Sequence, residues 1–178
     1  MMKRIVSLLL LSILISSCGV ENSDYIRDKI YKEKDPRDIK GIDPILMKYV
    51  ESWQKEFGHI GDISIGFKEE TANKGAAGVC LTWEGQRSYK QIEIRKSYYD
   101  SIMQVIAPDF PVEADKMVEQ LMYHELAHCH LNQDHRDHMI GKKPGSIMRS
   151  FAFSGREIFL FYMPEHDYYI NELKTGGQ

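Results

Sequence analysis

The chain has 178 residues, 23 of them basic and 26 acidic, with a formal net charge of −3. That balance leaves no basic stripe to follow a phosphate backbone, which excludes a nucleic-acid partner. The length suits one domain with an ordinary core, and no repeat or low-complexity run argues for an array or an unstructured chain.

The first elements set the compartment. Lys3 and Arg4 precede an apolar run over residues 5–15, which is too short to span a bilayer as a permanent helix. Ile15, Ser16 and Ser17 then lead into Cys18, and small residues directly before a Cys resemble the bacterial lipobox. The resemblance implies a signal peptide over 1–17, a lipid on Cys18, and a protein held to the membrane that faces the periplasm or the cell surface. Residues 18–41 are charged and carry Pro36 and Gly41 with little apolar periodicity, so they read as a tether.

The expected domain covers 42–178. Ile45, Leu46, Tyr49, Val50, Trp53 and Phe57 recur at helical steps behind Pro44, and Gly58 and Gly61 end the run. Ile63, Ile65 and Phe67 alternate with Ser64 and Gly66 as a strand with one buried face. A turn-rich stretch follows, then a strand over 79–83, a hairpin loop over 84–88, and a strand over 89–98 with Ile92 and Ile94 inward.

Pro111 marks the start of a long helix, with Glu113 and Asp115 complementing its dipole. Met117, Leu121, His124, His128 and Leu131 form one stripe, adjoined by Val118, Met122, Leu126 and Cys129. So wide an apolar arc predicts a central, mostly buried helix. Glu119, Gln120, Tyr123 and His130 fall on the remaining side.

Within this helix, His124, Glu125 and His128 spell H-E-x-x-H. Residues four apart lie one turn above each other, so the two imidazoles share a face and suit one divalent cation, with zinc the natural occupant. Glu125 lies beside that face, where a carboxylate can take a proton from water activated by the metal. Hydrolytic zinc keeps three protein ligands and one open position, so a third ligand is required. His135 and Asp134 both follow Asn132, a residue that tolerates the left-handed turn ending a helix.

Downstream, Gly145, Ser146, Ile147 and Met148 form a tight turn carrying a methionine. Together, the zinc pattern and this turn resemble the metzincin clan of zinc peptidases, whose pattern is H-E-x-x-H-x-x-G-x-x-H followed by a Met-turn. The resemblance implies an α+β, zincin-like fold: a small mixed sheet, a central zinc-binding helix, a Met-turn and a C-terminal helix. It further implies Zn2+ as cofactor, Glu125 as general base, a protein or peptide substrate lying along the strand at 79–83, and endopeptidase action. In strict metzincin register the turn glycine falls on Leu131 and the third ligand on Asp134. With Asn132 in the glycine's place, the same step reaches His135. Leu is a poor left-handed residue and imidazole the commoner ligand, so His135 is preferred and Asp134 stays open as the rival.

Cys80 and Cys129 are the remaining thiols, and a disulfide between strand and helix stands beside two free buried thiols as a reading. Past Met148 come Arg149, Ser150 and Phe151, so the tyrosine that some metzincins use to steady the transition state has no counterpart. Phe151, Phe153 and the aromatic run over 158–162 fill the core or wall a pocket, and Pro164 leads into a last helix ending at Gly176. Three alternatives compete. One is a zincin with Glu157 or Glu165 as third ligand, the second a non-catalytic lipoprotein with structural or sensing zinc, and the third a metal store using His124, His128, His130, His135 and His138. Zinc binding alone needs no Glu125, which separates the first reading from the last two.

Overall fold

The computed structural model describes residues 35–84 and 88–177. The expected signal peptide, Cys18 and most of the expected tether lie outside these residues, as does the middle of the expected hairpin loop.

The architecture is mixed α+β. Helix α1 (Met47–Phe57) leads into strand β1 (Ile63–Lys68), followed by β2 (Gly78–Trp83) and β3 (Tyr89–Arg95). The sheet order is β1-β3-β2, with β3 parallel to β1 and antiparallel to β2, so β2 forms one edge. The third strand stops three residues earlier than the alternation suggests. Its chain turns directly into α2 (Lys96–Ser101), and a wider helical turn over Ile102–Ile106 carries it on toward the long helix.

Residues 35–41 are not tether. Arg37 is buried and donates to both Asp35 and Asp62, the Ile39 N–H donates to the Gln91 side chain, and Ile42 bridges Ile65 in parallel. This segment packs against β1 and β3 through Ile39 and belongs to the domain. Its charges read as solvated in the sequence because their partners are as far away as Asp62.

Helix α3 (Pro111–Leu131) is the axis of the molecule, with Pro111 in its first turn and Asn132 closing it at φ 53°. Asn132 is the one non-glycine among the described residues with positive φ. The helix packs on the sheet with one side, where Cys129 is bonded to Cys80 of β2. On another side Trp53 of α1 meets Tyr123 edge-to-face at 5.1 Å, a geometry that suits the aromatic quadrupoles. Burial therefore runs around the whole circumference, and Glu119, Gln120 and Tyr123 are inside as well. Glu119 is satisfied there by Tyr162, His166 and Lys116, all donating to its carboxylate. His130 is partly buried and accepts from the Trp53 indole at 3.0 Å.

Beyond α3, residues 136–144 carry a minimal hairpin, β4 (Met139–Ile140) with β5 (Lys143–Pro144). The chain then makes the tight turn at 145–148 and enters α4 (Gly155–Glu157), which widens over Ile158–Tyr162. It ends in α5 (His166–Thr175), capped by Gly176 at φ 65°. Ile147, Met148, Phe153, Ile158 and Tyr162 join the same core as α3 and the sheet.

Candidate metal centre

Helical spacing places His124 and His128 on one face, and the left-handed Asn132 reverses the chain so that His135 returns to them. The three Nε2 atoms form a tight triangle with sides of 3.1, 3.1 and 3.3 Å. Tetrahedral zinc with Zn–N bonds of about 2.0–2.1 Å sets its nitrogens about 3.3 Å apart, so the triangle is of the right size. Among the described residues these three side chains are the group able to hold a metal ion. Asp134 is exposed and not part of it.

The tautomers follow from the surroundings. His124 Nδ1 lies 2.9 Å from the carbonyl oxygen of Ile147, and His128 Nδ1 lies 2.6 Å from that of Gln133. A carbonyl only accepts, so each Nδ1 carries the proton and each Nε2 presents a lone pair. Two lone pairs directed at one point, with a third imidazole nitrogen beside them, repel each other unless a cation lies between them. Such carbonyl contacts are also what orient ligating histidines in known metal sites. Burial disfavours the charged ring and lowers His124 to about 3 and His128 to about 4, the neighbouring imidazoles adding to the effect. Burial also lowers His135, opposed by Asp137 and Asp134. The imidazoles are thus neutral and ready to ligate near pH 7.

Glu125 is buried at 1% exposure, and its Oε2 has no hydrogen-bond partner. Burial pushes its carboxyl up to about 8, while the backbone N–H of Cys80 pulls the other way. Its position depends on Gly78 at the start of β2, where an added Cβ would sit 2.7 Å from Oε1 and 2.8 Å from Cγ. A strand glycine here permits close approach of the carboxylate to the sheet edge.

His124 and Glu125 open onto a small cleft of about 50 Å3, which Ala77, Gly78, Arg149, Ser150 and Ala152 also line. On that measure a water needs ~10–15 Å3, so the cleft admits a few small groups. The larger hollow near Phe67 and Lys96 holds none of these residues. The turn at 145–148 supports the site through Ile147, and it is itself closed by Ser146 Oγ, which accepts from the Met148 N–H at 2.9 Å.

The structure thus brings His124, His128 and His135 together with Glu125 adjoining. Glu157 and Glu165 pair with Arg149 and Lys143 instead. His130 faces Trp53, and His138 packs over Gly145. Three contributors escape a reading of the sequence: Gly78, which looks like the end of a turn, the carbonyl of Gln133, and Arg149, whose place in the cleft depends on the path after Met148. Compared with protein-family models, curated proteins and solved structures, the chain matches none.

Proposed function

We propose that this protein is a zinc-dependent peptide hydrolase of zincin type, with the metzincin order of zinc helix and Met-turn, carried at the bacterial envelope by lipid on Cys18. The observation that carries the reading is a buried carboxylate, Glu125, next in sequence to one of three imidazoles whose Nε2 atoms converge within 3.3 Å. The donor set, neutral nitrogens with one side open to a cleft, suits zinc in a hydrolytic role.

His124, His128 and His135 hold the ion, which when bound supplies a Lewis acid for a carbonyl oxygen and lowers the pKa of water. Glu125 is the general base: a cation held by the neighbouring imidazoles favours its ionised form and offsets the rise that burial causes, so the carboxylate takes a proton from the attacking water and delivers it to the leaving nitrogen. Its buried oxygen has no hydrogen-bond partner, at a cost of ~1–3 kcal/mol, which leaves a lone pair available for this role. The small residues at 76–78 leave the rim of the cleft low, and β2 is a sheet edge to which an extended peptide can add as a strand. That mode of binding favours endopeptidase action.

A non-catalytic zinc lipoprotein is the competing class. It predicts that Glu125→Gln changes nothing but stability. The hydrolase reading predicts full zinc content in Glu125→Gln, together with a loss of at least ~100-fold in casein or peptide cleavage. Equal cleavage by both proteins, or none by either, would sink it.

A further inference from the structure

Arg149 stands where the metzincin pattern offered no helper. It lines the cleft with His124 and Glu125, and among the described residues lining that cleft it is the one side chain with a permanent positive charge. Its side chain is 21% exposed, so it is reachable from the cleft while most of its length is packed.

The guanidinium is held rather than loose. Nη1 donates to Glu157 Oε1 at 2.7 Å. The other carboxylate oxygen of Glu157 accepts from both the N–H and the hydroxyl of Ser154, which caps α4 in return. The guanidinium carbon lies 6.0 Å from the centre of the buried Phe153 ring. A guanidinium has five N–H donors in a planar fork, and the Glu157 contact uses one. An oriented arginine with donors remaining is the usual receptor for a carboxylate, which it grips through two parallel bonds.

We propose that Arg149 selects the substrate by binding a carboxylate on it, either a free C-terminus or an Asp or Glu side chain close to the scissile bond. This rests on the hydrolase reading of the same site. Arg149 and Gly78 line the same cleft as His124 and Glu125, so a peptide laid along β2 reaches all of them. One of its carboxylates then falls at the guanidinium while a neighbouring carbonyl lies by His124 and Glu125. The charge of Glu157 orients the fork without filling it, and the low walls at Ala77 and Ala152 leave the approach open.

The test measures binding apart from turnover. Zinc-loaded Glu125→Gln protein is titrated calorimetrically with hexapeptides that differ in one group: free acid against amide at the C-terminus, and internal Glu against Gln. One acidic probe should bind about ten-fold tighter than its neutral partner, the scale of one charge-assisted pair. The pair that shows the difference identifies the source of the carboxylate. Adding Arg149→Gln should bring the ratio to about one, and Arg149→Lys, which keeps charge but not the fork, should leave an intermediate ratio; zinc content and thermal midpoint check that both variants fold. Equal binding of both members of each pair, no binding of any peptide, or a preference that survives Arg149→Gln or is undiminished in Arg149→Lys overturns the proposal. Cleavage by the Glu125 protein is scored separately. A carboxylate preference without cleavage would defeat the hydrolase and leave the role of Arg149 standing.

Discussion

The Nδ1 of His124 donates to the carbonyl oxygen of Ile147 across 2.9 Å, joining α3 to the turn that carries Met148. Two sequence signals separated by more than twenty residues therefore meet in a single hydrogen bond. The turn is rigid because Ser146 Oγ holds the Met148 N–H, and all three residues from 146 to 148 are fully buried. Ser146→Ala removes that acceptor and leaves a buried N–H unpaired, at a cost of ~1–3 kcal/mol. With the turn loosened, the Ile147 carbonyl orients His124 less firmly, and zinc affinity should fall about ten-fold. Competition with a chelating dye, together with a thermal melt, checks both effects; unchanged affinity would show that the turn does not support the ligand.

Gly78→Ala tests the seat of Glu125. The new Cβ would lie 2.7 Å from Oε1, so the carboxylate must move, and the three atoms nearest that Cβ all belong to Glu125 rather than to an imidazole. Zinc content should remain that of the wild type and turnover should drop by roughly 10–100-fold, the scale of a misplacement near 1 Å. Retained turnover would place the base elsewhere.

The Cys80–Cys129 disulfide spans 49 positions and fastens the edge strand to α3 four residues beyond Glu125. Closing a loop of that length stabilises by about 4 kcal/mol on the chain-entropy account. Replacing both cysteines by serine should lower the denaturation free energy by ~2–5 kcal/mol, read from urea titration. A loss below ~1 kcal/mol would mean that the closed loop does little to restrain the unfolded chain.

Stability of the metal-free protein should depend on pH in two opposed ways. His124 and His128 titrate near 3 and 4 in the folded chain against 6.5 when free, so the unfolded state binds more protons below pH 6.5. Their contribution is complete above 6.5 and is lost as pH falls toward 4 and 3. Glu125 titrates near 8 when folded against 4.5 when free, so its contribution is complete below 4.5 and is lost as pH rises to 8. In the presence of chelator, the thermal midpoint should decline from pH 6.5 to 8 in the wild type and much less in Glu125→Gln. An equal decline in both would remove Glu125 as its cause.

The sequence made the centre legible because its rules are local. Helical spacing aligns His124 with His128, Asn132 is a residue that turns left-handed, and Pro111 opens a helix, each decided within a few residues. Contacts at long range were hidden. The segment 35–41 looked solvated because Arg37 finds Asp62 only after folding. Tyr98 looked like the end of a strand, but the chain bends into α2 at Lys96. The wheel of α3 set Glu119 and Tyr123 outside the apolar arc, whereas Tyr162, His166 and Trp53 cover them. Between His135 and Asp134 the sequence offers only the left-handed preference of Asn132 over Leu131 and the commoner use of imidazole as a ligand, and the triangle of Nε2 atoms includes His135.

The most direct test of the central claim is X-ray absorption at the zinc edge on the metal-loaded full chain, with His135→Ala and Asp134→Ala measured alongside. The account predicts one zinc per chain with three nitrogen neighbours at about 2.0–2.1 Å, a neighbour lost in His135→Ala and none lost in Asp134→Ala. Zinc that washes out of the wild type, a sulfur neighbour at about 2.3 Å, or equal retention by the two variants would contradict it.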